Sequence, residues 1–293
     1  MSAAVHTHER LSVTPAGGSA GAYVTGVDLS RPHAGDAIAG IRQALRDHLV
    51  VALPDQTISL DDLERFTDAL GGKDITPFVV PMEGRPYVIR ILKEPDEKLN
   101  FANAWHTDLS YLDAPPSFTV LYCLETPPAG GDTVWANQYM AFETLSAGLR
   151  DTLMGLSAVH SAGPAYGTGG YLDGVKDKMS TKIAPSKDAY AEQAHPVVVE
   201  HPETKRASLY VNPVYTQRIA GWSKAESDGL LGHLYRHAVN ENFTWRLKWA
   251  KGTLAIWDNR CTQHFALNDY HGHRREMVRT SVKGTRPRPA RAP

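Results

Sequence analysis

Two cysteines in 293 residues, Cys123 and Cys261, are too few for a disulfide framework or a thiolate zinc cluster. No apolar run approaches the roughly 18 residues of a membrane span. Met1 to Arg10 carry His, Glu and Arg where a signal peptide would be apolar. A charge excess of either sign is also missing, because 31 Lys and Arg oppose 32 Asp and Glu. That balance argues against a nucleic-acid coat and a membrane-surface binder, both of which need a basic excess. With 42% hydrophobic and 22% charged residues, the chain has the composition of a folded globular enzyme. The expectation is a soluble, cytoplasmic protein with no nucleic-acid and no membrane partner.

Helices are signalled in three places. Residues 36–48 set Ile38, Ile41 and Leu45 at helical spacing, ahead of an apolar strand at Val50–Leu53. Ser59 and Asp62 form a capping-box pattern before Leu60, Leu63, Phe66 and Leu70, and Gly71-Gly72 closes that helix. Ser223 and Glu226 open a third helix through Leu230, Leu231 and Leu234. Most of the remainder reads as short strands at 87–92, 117–123, 132–136, 196–200, 207–211, 244–249, 253–257 and 276–282, punctuated by Pro and Gly. Many short strands behind a few helices predict a mostly β fold with helical cover, a sandwich or jelly roll. Residues 161–193 are long and weakly periodic, the pattern of a lid, a binding loop or a flexible insertion. No repeat or linker divides the chain, so a single domain over 1–283 is expected, with a frayed Arg/Pro tail at 284–293.

The candidate chemistry begins at His106-Thr107-Asp108. Chance alone yields such a tripeptide in a chain with 13 histidines, and a surface His-Asp pair is its plain reading. On a strand, however, residues i and i+2 face the same way, so imidazole and carboxylate could converge on one ion. With a distant His they would make the two-His, one-carboxylate set of a non-haem Fe(II) site. Trp257 to His264 supplies that His after a strand-like run, and Arg275 and Arg279 follow. Alternation puts Arg275, Met277 and Arg279 on one face of a strand. Two guanidinium groups aimed inward require anions, and a bidentate carboxylate is the natural partner; a basic surface edge is the other reading. Gly130-Gly131-Asp132-Thr133, by itself a turn into a strand, gains interest if Thr133 faces Arg275. The other histidines read as structural or solvated: His6 and His8 in the tail, His233 and His237 as a helix pair, His271 and His273 in a turn, and His160 near the core.

Together Trp105-His106-Thr107-Asp108, Gly130-Gly131-Asp132-Thr133, Trp257 to His264, and Arg275 resemble the taurine dioxygenase and 2,4-dichlorophenoxyacetate dioxygenase family. Thr25-Gly26-Val27-Asp28-Leu29 and Val50–Leu53 look like that family's opening, so the resemblance covers about Gly21 to Pro287. It implies a double-stranded β-helix (jelly roll) and an Fe(II)- and 2-oxoglutarate-dependent dioxygenase. By matching positions, His106, Asp108 and His264 would ligate Fe(II), and Arg275 with Thr133 would hold the distal carboxylate of 2-oxoglutarate. Dioxygen would be the second cosubstrate, with succinate and carbon dioxide released. Arg279 matches the position for an acidic group on the substrate, so the partner expected is a small anionic molecule. Two other readings stay open: a cupin-like metal enzyme that does not use 2-oxoglutarate, and a non-catalytic metal-binding jelly roll. A homo-oligomer is also left open.

For the substrate, the taurine enzyme has His and Asn where this chain has Thr76 and either Ala102 or Asn103. Tyr111 to Pro116 and Leu209 to Tyr215 look more like the aryloxyalkanoate dioxygenases, which would set Tyr215 in the pocket beside Arg279. Phe78, Val79 and Val80 are expected to form an apolar pocket wall. An aryloxyalkanoate-like carboxylate, a sulfonate or an alkyl sulfate would suit such a pocket, as would an anionic secondary metabolite or amino-acid derivative.

Overall fold

The structure, a computed structural model, describes residues 11–32 and 35–291, so His6 and His8 lie outside the described residues. The chain begins with β1 (Ser12–Pro15), β2 (Ala22–Thr25), α1 (Gly35–His48), β3 (Val50–Leu53) and α2 (Leu60–Gly71). Then come β4 (Lys73–Asp74), β5 (Pro81–Met82), β6 (Arg85–Lys93), β7 (Phe118–Glu125) and β8 (Thr133–Asn137). The helices α3 (Gln138–Glu143) and α4 (Ala147–Met154) precede β9 (Ser157–Ser161), α5 (Gly163–Tyr166) and α6 (Tyr171–Val175). After β10 (Glu192–Pro196), β11 (Val198–Glu200), β12 (Ala207–Leu209) and β13 (Thr216–Ile219) comes α7 (Lys224–Ala238). The chain closes with β14 (Thr244–Leu247), β15 (Leu254–Asp258), β16 (Thr262–Ala266) and β17 (Arg275–Val282).

A large sheet carries the order β1-β2-β3-β15-β7-β17-β6-β5, and a three-stranded sheet carries β14-β8-β16. Period-two alternation assigns each side of the large sheet its task. Val51, Leu53, Val120, Leu254, Ile256 and Val278 pack against Ile41 and Leu45 of α1 and Leu63, Phe66 and Leu70 of α2. Their neighbours Leu121, Cys123, Ala255, Trp257 and Met277 face the other way, onto Trp135 and Trp245 of the small sheet. The space between the sheets is thus a jelly-roll interior packed in part by the indoles of Trp135, Trp245, Trp249 and Trp257. Each cap at Ser59 and Ser223 is a complete capping box, worth about 1 kcal/mol at a helix start.

Two segments bear on the sequence expectations. Residues 161–193 contain α5, α6 and two 3₁₀ turns, and lie over β6 through paired bonds between Thr181 and the backbone of Leu92 (2.9 and 3.1 Å). The bonds Val80 N–H to Lys182 O and Ala184 N–H to Phe78 O, both 2.9 Å, tie the same segment to the β4–β5 connection. The tail from Gly284, expected to fray, instead lies along β11. Glu200 N–H donates to Arg288 O (2.9 Å), and Ala290 N–H donates to Val198 O (3.1 Å). Pro289 sits opposite Val199, where its missing N–H leaves no bond unmade. The β11–β12 hairpin offers an open edge, and its backbone groups outweigh the proline content of the tail.

Candidate active site

His106 reaches the site through backbone pairing. Its N–H donates to His264 O (3.1 Å), and His264 N–H donates back to His106 O (2.8 Å). This isolated bridge holds the two imidazole centroids 4.1 Å apart. Asp108 does not continue a strand as its spacing suggested. It opens a turn in which Leu109 takes φ +51° and Leu112 N–H donates to Leu109 O (2.9 Å). A left-handed leucine cannot extend the pleat, so the turn, rather than strand alternation, swings the carboxylate onto the histidines.

His106 Nδ1 lies 2.7 Å from Ala104 O, which fixes its proton on that nitrogen and leaves Nε2 as a lone-pair donor. Asp108 Oδ1 stands 3.6 Å from His106 Nε2 and 4.0 Å from His264 Nε2. Thr119 donates to the other oxygen, Oδ2, at 2.7 Å, and Asn259 Nδ2 donates in turn to Thr119 (2.9 Å). Burial works to raise the Asp108 pKa, but Arg279, then His264 and His106, outweigh it and hold the carboxyl far below its ordinary range. Burial, reinforced by His106, keeps His264 neutral well below its ordinary value. Two imidazole nitrogens and an ionised oxygen, all buried and within 4.8 Å of one another, can hold a divalent ion, and this donor set fits Fe(II).

Arg279 Nη1 lies 3.0 Å from Asp108 Oδ1, while its Nε and Nη2 are buried without partners. It forms one wall of a cavity of about 370 Å³ shared with His106, Asp108, Tyr215, Thr76, Ala102 and Asn103, whose other lining residues include Leu99, Asn100, Phe101, Leu109, Tyr166, Leu172 and Val214. Arg275, four residues earlier on the same face, is buried away from this cavity. Its Nε donates to Gly131 O (3.0 Å), its Nη2 lacks a partner, and Trp249 lies under the guanidinium at 5.8 Å. Trp249 Nε1 also donates to Thr133 Oγ1 (2.9 Å), leaving the hydroxyl hydrogen free to donate. Gly131 has φ +69°, and a Cβ there would lie 3.1 Å from Arg275 Cδ and 3.2 Å from Tyr270. The double glycine therefore lets the backbone pass close enough to orient the arginine.

The profile of the family described as taurine catabolism dioxygenase TauD, TfdA family, matches residues 12–281. The chain belongs to this TauD/TfdA family. It is 34% identical over 290 residues to an alpha-ketoglutarate-dependent sulfate ester dioxygenase of Pseudomonas putida, covering 98% of this chain and 94% of the relative. It is 32% identical to an alkylsulfatase of Acinetobacter baylyi, covering 94% and 86%. The crystal structure of a taurine dioxygenase from Burkholderia xenovorans superimposes with TM-score 0.80 at 33% identity, over 96% of this chain and 94% of that one. The double-stranded β-helix expected from the sequence is thereby established. The readings without a dioxygenase activity give way, because the TauD/TfdA family is one of dioxygenases.

Within this family framework the structure corrects the expected apolar wall. Phe78 packs behind the cavity against Tyr111 and Tyr166 at 5.9 Å, and Val80 is 46% exposed. The three consecutive residues do not form one wall, because Phe78 turns at φ +65° and the segment splits. Tyr215 does line the cavity, edge-on to His106 with centroids 6.2 Å apart. The supporting roles of Thr119, Asn259 and Trp249 were not found from sequence, since no spacing rule links them to the site. Also unforeseen was Lys93, opposite Arg275 in the β6–β17 register, with its buried ammonium over the Tyr270 ring at 4.2 Å.

A second cluster, His201, Asp258 and Cys261, has the composition of a metal site but is closed. His201 Nδ1 accepts from the N–H groups of Glu203 and Thr204 (3.2 and 3.0 Å), and Nε2 meets Asp258 Oδ2 at 3.0 Å. Arg260 occupies both oxygens of Asp258 at 2.8 and 2.6 Å. The Asp following Trp257 therefore anchors the motif's turn.

His160, fully buried beside Ser110 (3.1 Å), is held neutral down to about 3, by burial first and His195 second. Below its ordinary value of 6.5 the unfolded chain binds a proton that the folded chain refuses. Stability from this group is therefore complete above that value and falls as pH drops toward about 3, by at most ~1.4 kcal/mol per pH unit. Urea midpoints across pH 7 to 4 should fall less steeply for His160→Asn than for wild type. Parallel curves would remove His160 from the acid response.

Proposed function

We propose that this chain is an Fe(II)- and 2-oxoglutarate-dependent dioxygenase that oxidises a small organic anion with an apolar body, an alkyl sulfate in the first instance. The observation that carries the reading is the separation of two buried arginines on one face of β17, one outside the cavity and one in its wall. His106 Nε2, Asp108 Oδ1 and His264 Nε2 would hold the iron, and the bonds to Ala104 and Thr119 keep the first two in register. Arg275 and the Thr133 hydroxyl receive the distal carboxylate of 2-oxoglutarate, whose anion satisfies the free Nη2. When bound, iron with 2-oxoglutarate supplies the oxidising chemistry that delivers one oxygen of dioxygen to the substrate and leaves succinate and carbon dioxide.

Arg279 offers Nε and Nη2 to the substrate anion, and the aliphatic and aromatic walls hold its body and exclude water. An alkyl sulfate fits this division. Hydroxylation of the carbon bearing the ester oxygen gives a hemiacetal sulfate, which collapses to an aldehyde and inorganic sulfate. The relatives named for sulfate esters support this choice, and Thr76 with Ala102 or Asn103 argues against taurine itself. The deciding assay measures succinate and sulfate with Fe(II), 2-oxoglutarate, and a panel of hexyl sulfate, taurine, an alkanesulfonate and phenoxypropionate. Hexyl sulfate should stimulate succinate and release sulfate in equal amounts. Stimulation by phenoxypropionate alone would move the substrate class to aryloxyalkanoates, and no succinate with any member would sink the sulfate reading.

A further inference from the structure

Arg279 stands in two relationships that a purely substrate-holding arginine would not need. Its Nη1 contacts Asp108 Oδ1 at 3.0 Å, with the two side chains only 5% and 3% exposed. That oxygen is also the one turned toward both imidazole Nε2 atoms, at 3.6 and 4.0 Å, whereas Oδ2 is turned away onto Thr119. The guanidinium therefore competes for the same electron density that a divalent ion would use. Its Nε and Nη2, meanwhile, are buried with no acceptor, on a side chain that walls the cavity. One cation thus spans the metal corner and the anion space.

We propose that Arg279 couples the two sites, so that a divalent metal on Asp108 and an organic anion in the cavity each tighten the other's binding. Without metal, Asp108 is the arginine's only anionic partner among the described residues and holds it, which weakens its attraction for an incoming anion. A metal ion on Oδ1 withdraws that negative charge and leaves Arg279 to the substrate. An anion on Nε and Nη2 screens the guanidinium from the metal, and by linkage the two effects are equal. The dry setting makes the coupling large, because two cations sharing one buried carboxylate repel with little solvent to screen them. The consequence for catalysis is order: a chain lacking metal binds substrate more weakly than the metal-loaded chain.

This inference rests on the metal and anion sites proposed above, and its test separates their failure from its own. Mn(II) binding is measured by the loss of the free-ion paramagnetic resonance signal, anaerobically and without 2-oxoglutarate, so no turnover enters. In wild type, saturating hexyl sulfate should tighten Mn(II) roughly fivefold or more. R279Q should bind Mn(II) about tenfold more tightly than wild type with no anion present, since a competing cation has been removed. In the reciprocal arm, calorimetry should show hexyl sulfate binding more tightly to Mn(II)-loaded than to metal-free wild type, by the same factor. That arm needs no variant, so it stands even if R279Q fails to fold. Mn(II) binding that His264→Ala leaves unchanged would overturn the metal site, and this coupling with it. Mn(II) held at the site, with R279Q no tighter than wild type and no reciprocal effect, would overturn the coupling alone.

Discussion

His106→Ala is expected to lower succinate formation by at least ~1000-fold and to abolish stoichiometric metal binding, while the protein still unfolds cooperatively near the wild-type temperature. Losing an outer partner of a metal ligand typically costs ~10–100-fold, and losing the ligand itself costs more. The backbone bridge to His264 does not depend on the imidazole, so the second histidine stays in position. Asp108→Ala is a less clean test of the same claim. It strands Arg279, buried and without a counter-ion, and removing one partner of a buried pair costs about 3–5 kcal/mol. The measurements are metal content, thermal unfolding and succinate yield on the same preparations. A His106→Ala enzyme that turns over at a tenth of the wild-type rate with bound iron would remove His106 from the ligand set.

Arg275→Ala should raise the KM for 2-oxoglutarate by about 100-fold or more, corresponding to a buried charged contact of some 3 kcal/mol. The effect should be selective. At saturating 2-oxoglutarate, the KM for the organic substrate should move little, because Arg275 lies outside the cavity that Arg279 lines. Arg279→Ala should give the opposite pattern, weakening the acidic substrate more than the keto acid. Initial rates over a matrix of both substrates separate the two. If both variants raised both constants equally, the division of labour along β17 would be wrong.

Much of this arrangement was legible before any coordinates. The capping boxes at Ser59 and Ser223 and the shared face of Arg275, Met277 and Arg279, whose burial came with the fold, follow from spacing alone. So do most of the strands, because a helix cap and a period of two are local properties of a few adjacent residues. The meeting of His106 with His264 was indicated by the ordered motifs, but not by geometry: the strand expected through Asp108 is a turn.

By itself, the sequence determined the donor types, the shared face of the two arginines and, through its resemblance to a known family, the class of reaction they suit. Only the tertiary structure decided how those groups share one another. The contact of Arg279 with Asp108 joins residues 171 positions apart, and the Thr119–Asn259 support joins residues 140 apart. The tail's seat on β11 likewise depended on an open strand edge that no property of Arg, Pro and Ala announces. Such pairings depend on which strands become neighbours, on burial, and on which polar groups remain without water, all of which exist only once the two sheets have closed on each other.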